Sequence, residues 1–288
     1  MFTPAKINLF LRVVSRRPDG FHDLENVFVP LWSLGDDVEL LPASGDGLEL
    51  QVVGADDLPA GENNLCLRAA KAFAAATRLQ PQVDIRLTKR IPLSAGLGGG
   101  SSDAAAVLKL LNQHCHYPLS PLEMQGLAAE LGSDVPFFLE PQPALGLGKG
   151  DILTPLPMPT NFALILVTPL FPVPVAWAFQ QWTPTPEQKP SLDAFLTALH
   201  SADIQALASS LRNDLEAPLF AKFPLLGMIR RVLLEAGALA VHVSGSGPSL
   251  FALSPPEKAQ VIAENYNLAF SQFLPEAKIF QMSQCTTI

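Results

Sequence analysis

Apolar and polar residues repeat with two different periods along this chain, which indicates that strands and helices are mixed. Short apolar or β-branched segments predict strands at residues 7–14, 27–31, 36–40, 48–53, 83–87, 162–167, 239–243, 249–253 and 278–282. Helical spacing predicts helices at residues 65–77, 121–131, 192–211, 225–235 and 255–267. The strands at 36–40 and 48–53 flank a turn and are expected to pair. Because strands and helices do not alternate regularly, we predict an α+β fold rather than a doubly wound sheet.

A proline- and glycine-rich segment at residues 141–159 interrupts this pattern near the middle of the chain. Such segments are typical of connections between compact units. We therefore predict two domains, residues 1–154 and 155–288.

Glycines are concentrated directly before one further helical segment, in the sequence LSAGLGGGSSDAAAVLKLL at residues 93–111. Glycine allows a close backbone approach, and a helix N-terminus offers unpaired N–H groups, so the segment predicts a phosphate site. Ser101 or Ser102 is the expected N-cap of the helix. The segment lacks the lysine of a P-loop and does not fit G-x-G-x-x-G. The alternative is a plain strand-to-helix turn, which needs fewer glycines.

Composition and charge narrow the range of partners. The 288 residues are 48% hydrophobic and 16% charged, with a net charge of −8, which disfavours nucleic acid or an anionic membrane surface. The three cysteines show no paired spacing and the histidines no metal-ligand spacing, so we expect neither a disulfide framework nor a structural metal. No signal peptide or membrane-spanning run is evident, and we expect a cytoplasmic protein.

Three segments together resemble a known family. They are PAKINL at residues 4–9, the glycine-rich segment at 92–105 and SGSGPS at 244–249. In this order they resemble the GHMP kinase superfamily of small-molecule kinases. The segments DGFH at 19–22 and GSDVP at 132–136 are similar to the branch that phosphorylates cytidine-diphosphate methylerythritol in isoprenoid biosynthesis.

The resemblance implies a fold and a reaction. The N-terminal domain would be ribosomal-protein-S5-like and would bind nucleotide, the C-terminal domain would be ferredoxin-like, and the active site would lie in the cleft between them. ATP, with Mg²⁺ held through Ser101 or Ser102, would phosphorylate the 2-hydroxyl of the methylerythritol unit of the small-molecule substrate. The enzyme would be a monomer or a weak homodimer.

The resemblance also implies roles for individual residues. Asp134 would be the general base and Lys6 its partner. ATP would be bound by Asn64, Leu65, Lys89, Pro92, Leu93, Ser94, Ala95, Gly96, Leu97, Gly98, Gly99, Gly100, Ser101 and Ser102. The substrate would be bound by Asn8, Phe21, His22, Trp177, Ser244, Gly245, Ser246 and Gly247. In this group Phe21 and His22 would recognise cytosine, and Trp177 would stack on its other face.

One segment departs from the family, and two other functions stay open. Residues 171–174 read Phe-Pro-Val-Pro where many members carry small hydroxyl residues. A homoserine or mevalonate kinase is the nearer alternative, and the aromatic-histidine pair at Phe21 and His22 argues against it. A non-catalytic regulator that binds the same ligands is the other alternative, and retention of both Lys6 and Asp134 argues against that.

Overall fold

The computed structural model describes residues 1–45, 48–184, 189–270 and 272–282, and it contains two β-sheets covered by helices. The first half of the chain forms β1 (Phe2–Arg16), β2 (His22–Pro42), β3 (Leu50–Val53), α1 (Leu65–Thr77), β4 (Val83–Thr88), α2 (Gly99–His114), α3 (Pro121–Leu131), α4 (Val135–Leu139), β5 (Ala144–Leu147) and β6 (Ile152–Pro155). The second half forms β7 (Ala163–Val167), α5 (Val175–Gln180), α6 (Leu192–Ser201), α7 (Ile204–Ser210), β8 (Arg212–Asn213), α8 (Glu216–Lys222), α9 (Pro224–Glu235), β9 (Ala240–Val243), β10 (Leu250–Ser254), α10 (Ala259–Phe270) and β11 (Lys278–Gln281).

The first sheet is built around a long antiparallel ribbon of β1 and β2. Its strand order is β3-β4-β2-β1-β8, and β5 joins β6 to another part of β2. The ribbon pairs Lys6 with Pro30 and, at its far end, Arg16 with His22. β8 comes from the second half of the chain and pairs in parallel with β1. The ribbon therefore contacts both halves of the chain.

The second sheet contains four antiparallel strands in the order β11-β7-β10-β9. Two helical connections and one tight turn link these strands in the ferredoxin-like arrangement expected from the sequence. One buried cluster joins the halves, because Ile7 and Leu9 of β1 pack with Leu164 of β7 and Phe251 of β10. None of the helices in the described residues is long and apolar enough to cross a membrane.

Most predicted elements are present, but several details of the prediction were wrong. The predicted strands at 27–31 and 36–40 form the single strand β2, because pairing with β1 resumes at Gly35 after an irregularity at residues 32–34. β2 and β3 are not direct neighbours, since β4 pairs with both. The predicted helix at 192–211 is divided by Ala202, whose φ is 54°, and Asp203 caps α7. The prediction also lacked six short elements, namely the helices α4, α5 and α8 and the strands β5, β6 and β8.

Candidate active site

A cleft of about 950 Å³ opens where β1, β2, α5 and two glycine-containing loops meet. We call residues 92–98 the glycine loop and residues 244–247 the C-terminal loop. The cleft is lined by most of the residues expected from the sequence, namely Lys6, Asn8, Phe21, His22, Leu65, Lys89, Asp134, Gly245, Ser246 and every residue from Pro92 to Ser101. Within the described ranges the lining does not include Asn64, Ser102, Trp177, Ser244 or Gly247.

Lys6 and Asp134 form an ion pair beside the glycine loop. The backbone N–H of Lys6 donates to the Leu97 carbonyl at 2.9 Å, which fixes β1 to the loop. Lys6 Nζ lies 3.3 Å from Asp134 Oδ2 and donates to Asn8 Oδ1 at 2.6 Å. Asp134 precedes α4, but its side chain does not cap that helix and is 32% exposed. Its carboxylate can therefore accept a proton from a molecule in the cleft.

The glycine loop gives α2 an uncapped N-terminus at the wall of the cleft. Gly96 and Gly98 have φ values of 77° and 72°, which favour glycine. α2 begins at Gly99, and its N-cap residue Gly98 makes no side-chain cap bond. The first N–H groups of the helix and its dipole can therefore attract a phosphate group.

The serine cap predicted for α2 was wrong, because the helix already begins at Gly99, before either serine. Ser102 is fully buried, contacts the Thr3 hydroxyl and donates to the Pro4 carbonyl at 2.7 Å. It ties α2 to β1, whereas Ser101 lines the cleft. Of the two serines considered for Mg²⁺, only Ser101 lines the cleft. The described residues contain no cluster of three or more metal-ligating side chains.

A buried cluster of three charged side chains connects the segment before the glycine loop to β2 and α2. Lys89 Nζ contacts the Asp36 carboxylate and donates to Asp103 Oδ2 at 2.8 Å, and all three side chains are at most 3% exposed. Asp36 also accepts from the backbone N–H groups of Arg90 and Ile91, which lead into the loop. Asp36 thus joins β2 to the segment before the loop, and Lys89 joins that segment to α2.

The charges of this cluster do not balance, since one ammonium lies between two carboxylates. Burial pulls the pKa of Lys89 down, but Asp103 and Asp36 together raise it above its ordinary value. Burial raises the pKa of Asp103 to about 7, although Lys89 opposes the shift. Asp103 Oδ1 is buried and has no hydrogen-bond partner among the described residues. The Lys89 ammonium is therefore held by protein carboxylates, although its side chain also reaches the cleft wall.

The C-terminal loop packs against the glycine loop through Ser244. Ser244 Oγ donates to the Gly96 carbonyl at 3.0 Å and accepts from the Asn8 backbone N–H at 3.3 Å. Asn213 of β8 donates through Nδ2 to the Gly245 carbonyl at 2.8 Å. Ser244 therefore supports the site from outside the lining, while Gly245 and Ser246 form part of its wall.

Aromatic side chains line the end of the cleft distant from Lys6. His22 lies 5.3 Å from Phe179 of α5, measured between ring centroids, and Phe21 is 51% exposed. Lys149 Nζ lies 5.2 Å from the Phe21 ring centroid. Burial, and then the charge of Arg16, lower the pKa of His22. The imidazole is therefore neutral at neutral pH and offers one donor and one acceptor.

Trp177 does not face this cavity, contrary to the expectation from the sequence. Its ring lies 4.1 Å from Lys222 Nζ and 5.9 Å from the centroid of Phe223, on the other side of α5. Phe179, two residues later, lines the cleft instead. No helix was predicted at this point, so the face on which each aromatic residue lies could not be assigned.

Asn64 is another expected site residue that does not line the cleft. Its Oδ1 accepts from the Cys66 N–H at 2.9 Å and caps α1, and its Nδ2 donates to the Pro59 carbonyl at 2.9 Å. These bonds place Leu65 at the cleft wall. Sequence reasoning also missed Asn26 and Lys149, which line the cleft. The available signal for Asn26 was its position between Leu24 and Phe28, two apolar residues on the same face of β2.

Comparisons with known proteins agree with this geometry. Residues 64–140 match the family of GHMP kinases N terminal domains, and residues 195–272 match the GHMP kinases C terminal family. The chain is 39% identical to the 4-diphosphocytidyl-2-C-methyl-D-erythritol kinase of Geobacter sulfurreducens over 94% of this chain and 95% of that protein. It is 41% identical to the protein of that name from Pelotomaculum thermopropionicum, over 94% of each.

Solved structures give the same assignment. A crystal structure of 4-(cytidine 5'-diphospho)-2C-methyl-D-erythritol kinase superposes with a TM-score of 0.77 at 35% identity, covering 97% of both chains. A homoserine kinase from Cytophaga hutchinsonii has a TM-score of 0.75 at 21% identity over 97% of this chain and 92% of its own, which shows the shared fold alone. The chain therefore belongs to the GHMP kinases, in the family of the 4-diphosphocytidyl-2-C-methyl-D-erythritol kinases.

Proposed function

We propose that this protein transfers the γ-phosphoryl group of ATP to the 2-hydroxyl of 4-(cytidine 5'-diphospho)-2-C-methyl-D-erythritol, a step of the methylerythritol phosphate pathway of isoprenoid biosynthesis. The observation that carries the proposal is the single cleft that contains an anion-attracting helix end, an ion pair and an aromatic-histidine group. The names of the relatives support the choice of substrate.

The reaction requires positioning and charge stabilisation more than covalent help from the protein. The glycine loop and the N-terminus of α2 hold the phosphates of ATP, with Leu65 at the wall of the nucleotide side. Asp134 accepts the proton of the substrate hydroxyl through its carboxylate. Lys6 donates to the oxygen atoms of the transferring phosphoryl group, where negative charge is concentrated.

Recognition of the cytidine end depends on the aromatic group at the other end of the ribbon. Phe21 is exposed and available for stacking. Phe179 would supply the second aromatic contact that the family resemblance implied for Trp177, since Phe179 lines the cleft. The neutral His22 can both donate to and accept from the edge of a pyrimidine base. These contacts would distinguish the substrate from homoserine and mevalonate, which carry no base.

Mg²⁺ is expected to bind together with ATP. Of the two serines considered as its ligands, one is available at the cleft. Mg²⁺ commonly uses one or two protein oxygen atoms together with phosphate oxygens. The Ser101 hydroxyl is the group that would hold it, since Ser102 is engaged with β1. When bound, the ion would neutralise charge on the phosphates of ATP.

Three further expectations remain part of the proposal. The domains would divide at 154/155, at the end of β6 in the first sheet, although β8 crosses back to that sheet. The protein would act in the cytoplasm on a small molecule, without nucleic acid or membrane as partner. It would be a monomer or a weak homodimer.

A coupled assay of ADP release tests the proposed reaction. Purified protein is given Mg²⁺-ATP and, in separate reactions, the cytidine-linked methylerythritol, homoserine or mevalonate. We expect release of ADP with the first substrate and no increase above background with the others. Turnover of homoserine or mevalonate instead would assign the cleft to another GHMP kinase, and nucleotide binding without turnover would support a regulator.

A further inference from the structure

We propose that Asn26 is a positioning residue for the reaction: it fixes the side-chain amide of Asn8 and, through it, the ammonium group of Lys6. The inference rests on the proposed function, because it concerns the Lys6–Asp134 pair. The residue-by-residue resemblance to the family assigned no role to Asn26.

Three buried polar side chains form a chain of hydrogen bonds along the β1–β2 ribbon. Asn8 Nδ2 donates to Asn26 Oδ1 at 2.9 Å, and Lys6 Nζ donates to Asn8 Oδ1 at 2.6 Å. Lys6, Asn8 and Asn26 are 3%, 2% and 2% exposed, and all three line the cleft. Asn8 is paired with Phe28, so Asn26, two residues earlier in β2, lies on the same face of the sheet.

The chemistry of the amide allows only one orientation of Asn8. An ammonium group has donors and no acceptor, so the carbonyl oxygen of Asn8 must face Lys6. The amide nitrogen then needs an acceptor, which Asn26 Oδ1 supplies. Without that acceptor, the buried Nδ2 would lose its partner, and a reversed amide would direct its N–H groups at the ammonium.

The C-terminal loop prevents Asn8 from moving away on its other side. A Cβ atom at Gly245 would lie only 2.7 Å from Asn8 Oδ1, so the backbone at this glycine already approaches the amide closely. Asn8 is therefore held between Gly245 and Asn26, with its oxygen directed at Lys6.

This arrangement determines how the donors of Lys6 are used. Within the described part of the chain, one N–H is directed at Asn8 and one at Asp134, which leaves the third for a phosphoryl oxygen. If the Asn8 amide were free to turn, the ammonium would lose its fixed direction. Small displacements of a catalytic group lower the rate strongly, so the effect is expected in kcat.

A double-mutant cycle tests whether Asn26 acts through Asn8. We expect Asn26→Leu to lower kcat at saturating ATP and substrate about tenfold, as for the loss of one hydrogen bond to a polar network. In the Asn8→Ala background the same change should lower kcat less than about twofold, because the link to Lys6 is already broken. A tenfold loss in both backgrounds would overturn the proposal.

The variant Asn26→Asp separates this role from a direct contact with the substrate. It keeps the acceptor oxygen for Asn8 but loses the Nδ2 donor, which has no acceptor among the described residues. We expect kcat close to that of the wild type, with a raised KM for the anionic substrate from the added charge. If Asn26→Asp lost as much kcat as Asn26→Leu, the acceptor role would be wrong.

Asn112→Leu is the matched control, because Asn112 is also buried but lies at the far end of α2. Within the described residues, its side-chain amide bonds to the backbone of Leu119 alone. Asn112→Leu should lower the unfolding temperature and leave kcat unchanged. A loss of kcat equal to that of Asn26→Leu would show that the effect at Asn26 is not specific.

The coupling between Asn8 and Asn26 is also measured from the unfolding free energies of the same variants without substrate. An inactive wild type overturns the proposed function, whereas an active wild type with uncoupled variants overturns only the role of Asn26.

Discussion

Replacing Lys89 with methionine removes the ammonium that lies between Asp36 and Asp103. Methionine has a similar length and no charge, so the change leaves two buried carboxylates without their cation. Lys89 and Asp36 are 3% and 0% exposed, and Asp36 also holds the backbone of the segment before the glycine loop. Removing one partner of a buried pair typically costs about 3–5 kcal/mol, because the remaining charge is uncompensated.

The pair of Lys71 and Glu62 provides a control for this magnitude. Its N–O distance is 2.7 Å, close to the 2.8 Å between Lys89 and Asp103, but its side chains are 56% and 86% exposed. Exposed pairs contribute about 0–1 kcal/mol. Lys71→Met should therefore leave the unfolding midpoint nearly unchanged, whereas Lys89→Met should lower the melting temperature by roughly 5–10 °C for a chain of this size.

Urea and thermal unfolding, together with the KM for ATP, decide whether Lys89 stabilises the fold or binds ATP. We expect a large loss of stability that is partly recovered in Lys89→Met/Asp103→Asn, because one uncompensated charge is then removed. If Lys89→Met unfolded at the same temperature as Lys71→Met and only its KM for ATP rose, the structural role would be refuted. Lys89 would then be a ligand of ATP, as the family resemblance implies.

Three other changes test separate parts of the site. Asp134→Asn should lower kcat about 10²–10⁴-fold with little change in either KM, because it removes the proton acceptor and keeps the shape; near wild-type kcat would contradict this. Phe179→Leu should raise the KM for the cytidine substrate several-fold, whereas Trp177→Leu should not, which steady-state kinetics would check. Burial raises the pKa of the Asp103 carboxyl from 3.8 to about 7, so the folded state favours the neutral, protonated form of this side chain. The contribution of Asp103 to stability should therefore fall as pH rises from about 4 to 7, and comparison of wild type with Asp103→Asn by urea unfolding at several pH values should isolate that contribution.

The parts of the site that the sequence predicted are those encoded within one short segment. Glycines at 96 and 98 adopt positive φ, and the motif residues Lys6 and Asp134 lie at the cleft as expected. Their roles in catalysis remain predictions. Segment boundaries were less predictable, since β2 pairs with β1 on both sides of an irregularity at residues 32–34 where the sequence pattern predicted a break.

Residues that act through distant partners could not be found from the sequence. Asp36 lies 53 positions from Lys89, and Asn213 reaches the C-terminal loop from a two-residue strand. Phe179 and Trp177 lie on a six-residue helix, too short for periodicity to show which aromatic residue faces the cleft. These contacts depend on how the sheets pack, which local patterns do not encode.

Phosphorus NMR of a single reaction tests the central claim most directly. The protein is incubated with Mg²⁺-ATP and 4-(cytidine 5'-diphospho)-2-C-methyl-D-erythritol, and the product is purified and its phosphorus–carbon couplings are measured. We predict one new phosphomonoester signal, on the oxygen at carbon 2, with the diphosphate signals retained and one ADP formed per product. The absence of that signal, or a phosphate on a different hydroxyl, would contradict the proposed placement of the substrate between the glycine loop and the aromatic group.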